Sequence, residues 1–118
     1  MMRKLKVYIA GPYSKGDVVQ NVRDAIFAAN ELAELGLIPF IPHLTHFWHF
    51  LCPHELDFWY AYDLEWLNVC DVVLRLPGES SGADEEVAFA RQRGMTIYSS
   101  IAEIRSILTC ESPEAKEA

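Results

Sequence analysis

A chain of 118 residues is long enough for one properly cored domain and too short for two. Its apolar share of 51% marks it as globular rather than disordered. A net charge of −7 argues against a nucleic-acid polymer as partner, because phosphate neutralisation needs clustered Lys and Arg.

The opening MMRKLKVYIAG has a basic start but only a short apolar run before Gly-Pro, which reads as no signal peptide. Within it, residues 5–11 form a β-branched and aromatic run that predicts a buried first strand. The loop PYSKGD follows, and Asp17 with Gln20 resembles a capping box. Val18, Val22, Ala25, Ile26, Ala29 and Leu32 then recur at helical spacing, and Gly36 is a natural stop. LIPFI, 37–41, reads as a second strand. The aromatic and histidine-rich stretch 42–54 has no clean period and is expected to be a long loop.

Pro53 and Glu55 open a helix expected to reach about Val69. CDVVLRL, 70–76, predicts a third strand, and PGESSGADEE, 77–86, leads into a helix from about Gly82 to Arg93. MTIYS, 95–99, predicts a fourth strand, and SIAEIRSIL a last short helix. The domain is expected to span 1–109, with 110–118 a polar, frayed tail. Cys52, Cys70 and Cys110 are odd in number and form no C-x-x-C pair, which speaks against a disulfide framework. No apolar stretch approaches membrane-spanning length, so no membrane partner is expected and a cytoplasmic setting is the default.

Strands alternating with helices imply an α/β fold. The expectation is a single-domain three-layer sandwich whose parallel sheet has four to five strands in a flavodoxin/Rossmann-like topology. Ligands in such folds bind at the carboxyl ends of the strands. The loops after strands one, two and three all fall on that rim. They supply the substrate-binding candidates Gly11, Ser14, Lys15, Gly16, His43, Ser80 and Gly82.

Three further positions carry acid–base character. In helix 54–69 the apolar stripe Leu56, Trp59, Tyr60 and Leu67 is interrupted by Asp63, and an acid on a buried face is costly unless paired or used. Asp57 and Glu65 lie off that stripe and read as solvated charges. Among the acids of 84–86, Asp84 and Glu85 serve as partners of the helix dipole, whereas Glu86 shares a face with Ala83, Val87 and Ala90 and points back over the strand ends. Tyr8 sits near the end of strand one, where a core aromatic with a bonded hydroxyl is the plainer reading. His43, His46, His49, Cys52 and His54 do not follow an established zinc spacing, so no metal is expected. The interleaved Phe47, Trp48 and Phe50 look like an aromatic lid or a packed loop, and a wall on which a base stacks fits them better than a metal site. No Walker A, G-x-G-x-x-G or G-x-S-x-G pattern is present.

Three separated motifs resemble the nucleoside 2-deoxyribosyltransferase-like superfamily. They are VYIAGPYS, with Tyr8 at the position of the active-site tyrosine, YDLEWLNVCDVVL, with Asp63 at the catalytic aspartate, and SSGADEE, with Ser80, Gly82 and Glu86 on the Ser-x-Gly-x-x-x-Glu nucleophile motif. The resemblance spans about residues 5–98 and places the chain in a small branch related to deoxynucleoside 5'-monophosphate N-glycosidases. Two departures stand out: Ala83 where the transferases carry a small hydroxyl residue, and PYSKGD where the hydrolases carry a loop richer in Ser, Arg and Gly. The short segment after the last helix, where transferases have a longer tail, tilts the expectation toward hydrolysis.

The resemblance implies cleavage or transfer at the N-glycosidic bond of a (deoxy)nucleoside or its 5'-monophosphate. Glu86 is the nucleophile forming a covalent glycosyl-enzyme, Asp63 the acid and base, and Tyr8 the group that orients Glu86. It implies no cofactor and a homodimer or larger homo-oligomer. Two alternatives stay open. One is a non-catalytic nucleotide-binding module. The other is a lysine-decarboxylase-like nucleotide phosphoribohydrolase, whose Pro-Gly-Gly-x-Gly-Thr-x-x-Glu motif is echoed by PGESSGADEE, although such chains lack the Asp-Leu-Glu-Trp context.

Overall fold

β1, Lys6–Ala10, is the strand around which the other layers assemble, and its residues 7–10 are all fully buried. The computed structural model describes residues 4–110. β1 is flanked by β2, Ile38–Phe40, on one side and by β3, Val72–Arg75, on the other, and β4, Thr96–Tyr98, lies outside β3. Every pairing is parallel, with Tyr8 opposite Phe40 and Val73 and with Val73 opposite Ile97. The order β2-β1-β3-β4 places the change of winding direction at β1 and β3. In doubly wound sheets, ligands settle at that switch point, beyond the carboxyl ends of the strands.

Alternation along β1 divides the core in two. Val7 and Ile9 face α1, Val18–Glu34, and α5, Ile101–Cys110, through Ala25, Ala28, Ala29, Leu32 and Ile104. Tyr8 and Ala10 face the other way, toward α3, Leu56–Leu67, and α4, Ser81–Gln92, through Leu67, Ala83 and Ala90. The result is the three-layer sandwich expected, with four strands. Since side chains on a strand alternate faces, this division alone sends the Tyr8 hydroxyl to the α3–α4 side.

Helix α1 begins and ends as its residues dictate. Asp17 is the N-cap and accepts from the Gln20 amide at 3.2 Å. At the other end Gly36, with φ of +88°, donates to Ala33 O, while Leu37 N reaches Leu32 O at 3.1 Å, a Schellman closure. The buried face differs slightly from the predicted stripe, since Ala28 is inside and Ile26 is exposed.

The larger correction concerns 42–54, expected to be a loop. Pro42–Leu44 is a 3₁₀ turn and Thr45–Leu51 is α2. Thr45 Oγ1 bonds back to Pro42 O at 2.9 Å, and the Trp48 ring meets Trp59 edge-on at 4.9 Å and Tyr62 at 5.3 Å. No residue of α2 is buried, so its sequence carries no helical apolar period, and its anchorage is aromatic packing on α3. The predicted stripe on α3 holds at Leu67, whereas Leu56 is exposed. The strands are also shorter than their apolar runs, although flanking residues still pair with β1 or pack on the core: Leu76 N bonds Ala10 O and Asp71 N bonds Lys6 O, both at 2.8 Å. α5 includes Cys110, at the edge of the expected tail, and 111–118 lie outside the described residues. Cys52 and Cys70 are free thiols. Among the described residues, no helix is long and apolar enough to cross a membrane.

Candidate functional site

The loops beyond β1, β2 and β3 enclose an open cleft of about 960 Å³. Its lining includes Gly11, Ser14, Lys15, His43, Asp63, Ser80, Gly82 and Glu86. Eight of the ten candidate residues therefore share one wall. Tyr8 and Gly16 do not line it: Tyr8 lies fully buried beneath, and Gly16 serves a turn with φ of +83°.

The floor is built from the sheet and from the α3–α4 layer, with nothing from α1 or α5. Tyr8 Oη on β1 donates to Glu86 Oε2 on α4 at 2.6 Å. The length and the carboxylate acceptor make this a strong, charge-assisted bond. Glu86 reaches this position because Ser80 caps α4, its Oγ accepting from the Ala83 amide at 3.1 Å, and because Ala83 and Ala90 are small enough to press the helix face onto the sheet. Asp84 and Glu85 are exposed and Glu86 is half-buried, the separation expected from periodicity. Asp84 has a further partner, Arg75 Nη2 at 3.0 Å, beyond the helix dipole.

Asp63 approaches from α3, and its buried Oδ1 has no hydrogen-bond partner. Burial, with the charge of Glu86 added, pushes the Asp63 carboxyl up to about 8. Burial also raises Glu86, to about 7, but the Tyr8 hydroxyl and the Arg75 guanidinium oppose the rise. Glu86 has a donor and a cation and Asp63 Oδ1 has no donor, so a proton shared by the pair resides on Asp63. Tyr8 is held far above its ordinary range by burial and by Glu86, so it remains a neutral donor. Such a pair, one carboxylate and one carboxylic acid, can attack an electrophilic carbon and protonate a leaving group in one step.

The rim follows the glycines and a buried histidine. A Cβ on Gly11 would come within 3.0 Å of the Leu76 Cβ, so the glycine lets the first loop lie against the third. His43 is buried, and its Nε2 lies 3.0 Å from Pro12 O. A carbonyl only accepts, so Nε2 carries the hydrogen and the buried, unpartnered Nδ1 presents a lone pair. Burial lowers the pKa of the ring and keeps it neutral. Asn21 Nδ2 ties down the loop through Tyr13 O at 2.9 Å and Lys15 O at 2.8 Å. The Lys15–Glu79 pair at 3.4 Å is largely exposed and contributes little to stability.

The aromatic wall is not the one expected. Phe47 and Phe50 point to solvent, while Trp59, Tyr60, His49 and His54 line the cleft. Trp59 Nε1 donates to His49 Nδ1 at 2.7 Å, and Tyr13 Oη lies 2.6 Å from His46 Nδ1. His43 and His46 are engaged apart from His49, whose Nδ1 also accepts from His54 N at 3.3 Å, and among the described residues no cluster of His, Cys, Asp or Glu is arranged to hold a metal ion. Sequence reasoning missed Arg75, Asn21 and Tyr13. Arg75 had one signal, a basic residue ending an otherwise apolar strand beside Leu-Pro-Gly.

Comparison with known proteins agrees with the architecture. Residues 5–100 match the family model described as Domain of unknown function (DUF7768). No curated protein matches the chain. A solved 2-deoxyribosyltransferase from the psychrotolerant bacterium Bacillus psychrosaccharolyticus has a similar fold, with a TM-score of 0.57 and 20% identity, covering 78% of this chain and 69% of that one. That enzyme is described as a biocatalyst for the synthesis of antiviral and antitumoral nucleosides. At this identity, the likeness is one of fold.

Proposed function

We propose that this chain, which belongs to the DUF7768 family, cleaves or transfers at the N-glycosidic bond of a (deoxy)nucleoside or its 5'-monophosphate. The observation that carries the reading is the 2.6 Å bond from Tyr8 to Glu86 beneath a cleft whose wall also holds the unpartnered Asp63 oxygen. The three motifs that resemble the 2-deoxyribosyltransferase-like superfamily converge on that place, and the solved enzyme of similar fold acts in nucleoside synthesis.

In this reading, ionised Glu86 attacks the anomeric carbon as the bond to the base breaks, and Asp63 delivers its proton to the departing base. The sugar is then held as an ester on Glu86. Asp63, now a carboxylate, takes a proton from water or from an incoming base as it attacks the same carbon, and Glu86 is released. Two displacements retain the configuration. Tyr8 touches Glu86 rather than the sugar and is a positioning residue. The base stacks beside Trp59 and Tyr60, whereas Ser14, Lys15 and the N-terminus of α4 face a hydroxyl or phosphate. The exposed Phe47, Phe50, Leu51 and Leu56 favour association with a second copy of the chain.

The test is incubation with a panel of deoxynucleosides and their 5'-monophosphates, with and without a second free base. Base exchange identifies a transferase, and release of base without exchange a hydrolase. Binding without either reaction refutes the enzymatic reading. Glu86→Ala is expected to lower turnover by more than about a thousandfold, and full activity in that variant refutes the nucleophile.

A further inference from the structure

We propose that His49 is a specificity-determining residue of this site: held by Trp59, it offers the cleft a fixed N–H donor that selects bases with a carbonyl edge over bases with an amino edge. This rests on the reading of the cleft as a nucleoside site, and it names the substrate class within that reading.

The geometry fixes which nitrogen of the ring carries the hydrogen. His49 lies on α2 and lines the cleft together with Trp59. Its Nδ1 accepts from Trp59 Nε1 at 2.7 Å and from the His54 backbone amide at 3.3 Å. An indole N–H and a peptide N–H only donate, so Nδ1 presents its lone pair to both. In the neutral imidazole the hydrogen is then on Nε2. Both bonds given to the ring end on Nδ1, which leaves Nε2–H as the polar group that a ligand can meet.

The ring is held in this orientation. Turning it over would set a carbon against the two donors, and α2 is itself packed on α3 by the edge-on contact of Trp48 with Trp59 at 4.9 Å. The imidazole stands across the indole, with the ring planes 77° apart and the centroids 5.7 Å apart. Trp59 and Asp63 are four residues apart on α3 and so share one face of it. A base that takes its proton from Asp63 therefore lies near Trp59 and meets the imidazole with its edge.

The donor then chooses the base. Guanine, hypoxanthine, thymine and uracil carry a carbonyl oxygen on that edge, whereas adenine and cytosine carry an amino group. Against a carbonyl the N–H makes a hydrogen bond. Against an amino group two donors oppose each other and both stay unpaired, which is the costlier outcome. Tyr60 also lines the cleft, but a hydroxyl both donates and accepts and does not discriminate. Asp57 is an acceptor in the same lining, and it is exposed, so water competes for it.

The test compares the dissociation constants of 2'-deoxyuridine with 2'-deoxycytidine and of 2'-deoxyinosine with 2'-deoxyadenosine. Calorimetry on the Glu86→Ala protein reads binding without turnover. The oxo member of each pair is expected to bind about tenfold tighter or more. His49→Asn, added to that protein, keeps an amide oxygen for Trp59 and removes the Nε2 donor, and the preference is expected to vanish as the oxo nucleosides weaken. Trp59→Phe keeps a ring on the wall but deletes the shorter bond to Nδ1, and the preference is expected to narrow as the amino nucleosides gain relative to the oxo ones. Nitrogen NMR of the imidazole in the unsubstituted protein, which needs no variant to fold, is expected to show the hydrogen on Nε2. Equal binding within each pair, an unchanged preference in His49→Asn, or hydrogen on Nδ1 overturns the proposal. A protein that shows the preference but releases no base refutes the glycosidic reading and leaves the role of His49 standing. Base release without the preference does the reverse.

Discussion

Removing the Tyr8 hydroxyl tests the electrostatics of the site most directly. Tyr8→Phe keeps the ring that stacks on Phe40 at 5.6 Å and deletes only the donor to Glu86. A hydrogen bond to a charged group contributes about 1.5–3 kcal/mol, and one pKa unit corresponds to about 1.4 kcal/mol, so Glu86 is expected to rise by about one to two units above its value of about 7. At pH 7, its ionised fraction then falls from about one half to between about a tenth and a hundredth, roughly a 5- to 50-fold loss of kcat/KM. The loss is not fully recovered at higher pH, because Asp63 gives up its proton near 8 and the two windows then cross. The assay is the pH profile of base release for both proteins. A Tyr8→Phe profile of unchanged shape, lowered uniformly or not at all, refutes the reasoning.

The same burial makes stability depend on pH. Asp63 and Glu86 titrate above their unfolded values, so their contribution is fully present below the ordinary carboxylate range and is lost as pH rises through about 7 to 8. Tm is therefore expected to fall between pH 5 and pH 9, and Asp63→Asn to flatten that slope, as followed by circular dichroism. Gly78→Ala is expected to cost about 1–3 kcal/mol in denaturant unfolding, since alanine meets both a positive φ and the Pro12 ring.

Much of the fold was legible in the residues because it rests on local rules. The Asp17 cap, the Gly36 closure and the alternation of β1 are each set within a few positions, and all four strands lie inside their predicted runs. Glu86 could be told from Asp84 and Glu85 by period alone, since Ala83 and Ala90 mark the face that must pack. Helix α2 could not be read this way. It buries no residue and is held by aromatic rings on α3, so the signal for it lies in another segment.

The resemblance of three motifs could nominate Tyr8, Asp63 and Glu86 but not their states. The partners in the Tyr8–Glu86 bond are 78 positions apart, and only the packing of α4 on β1 brings them within 2.6 Å. Their charges follow from burial, which is a property of the assembled layers and of no short stretch of chain. The same is true of Arg75. Along the chain it is a lone cation ending a strand, and only the return of α4 over β3 shows that it grips a turn and faces an acid. Composition and local periodicity determine the elements, whereas long-range packing decides which polar groups meet out of water and hence what charge each carries.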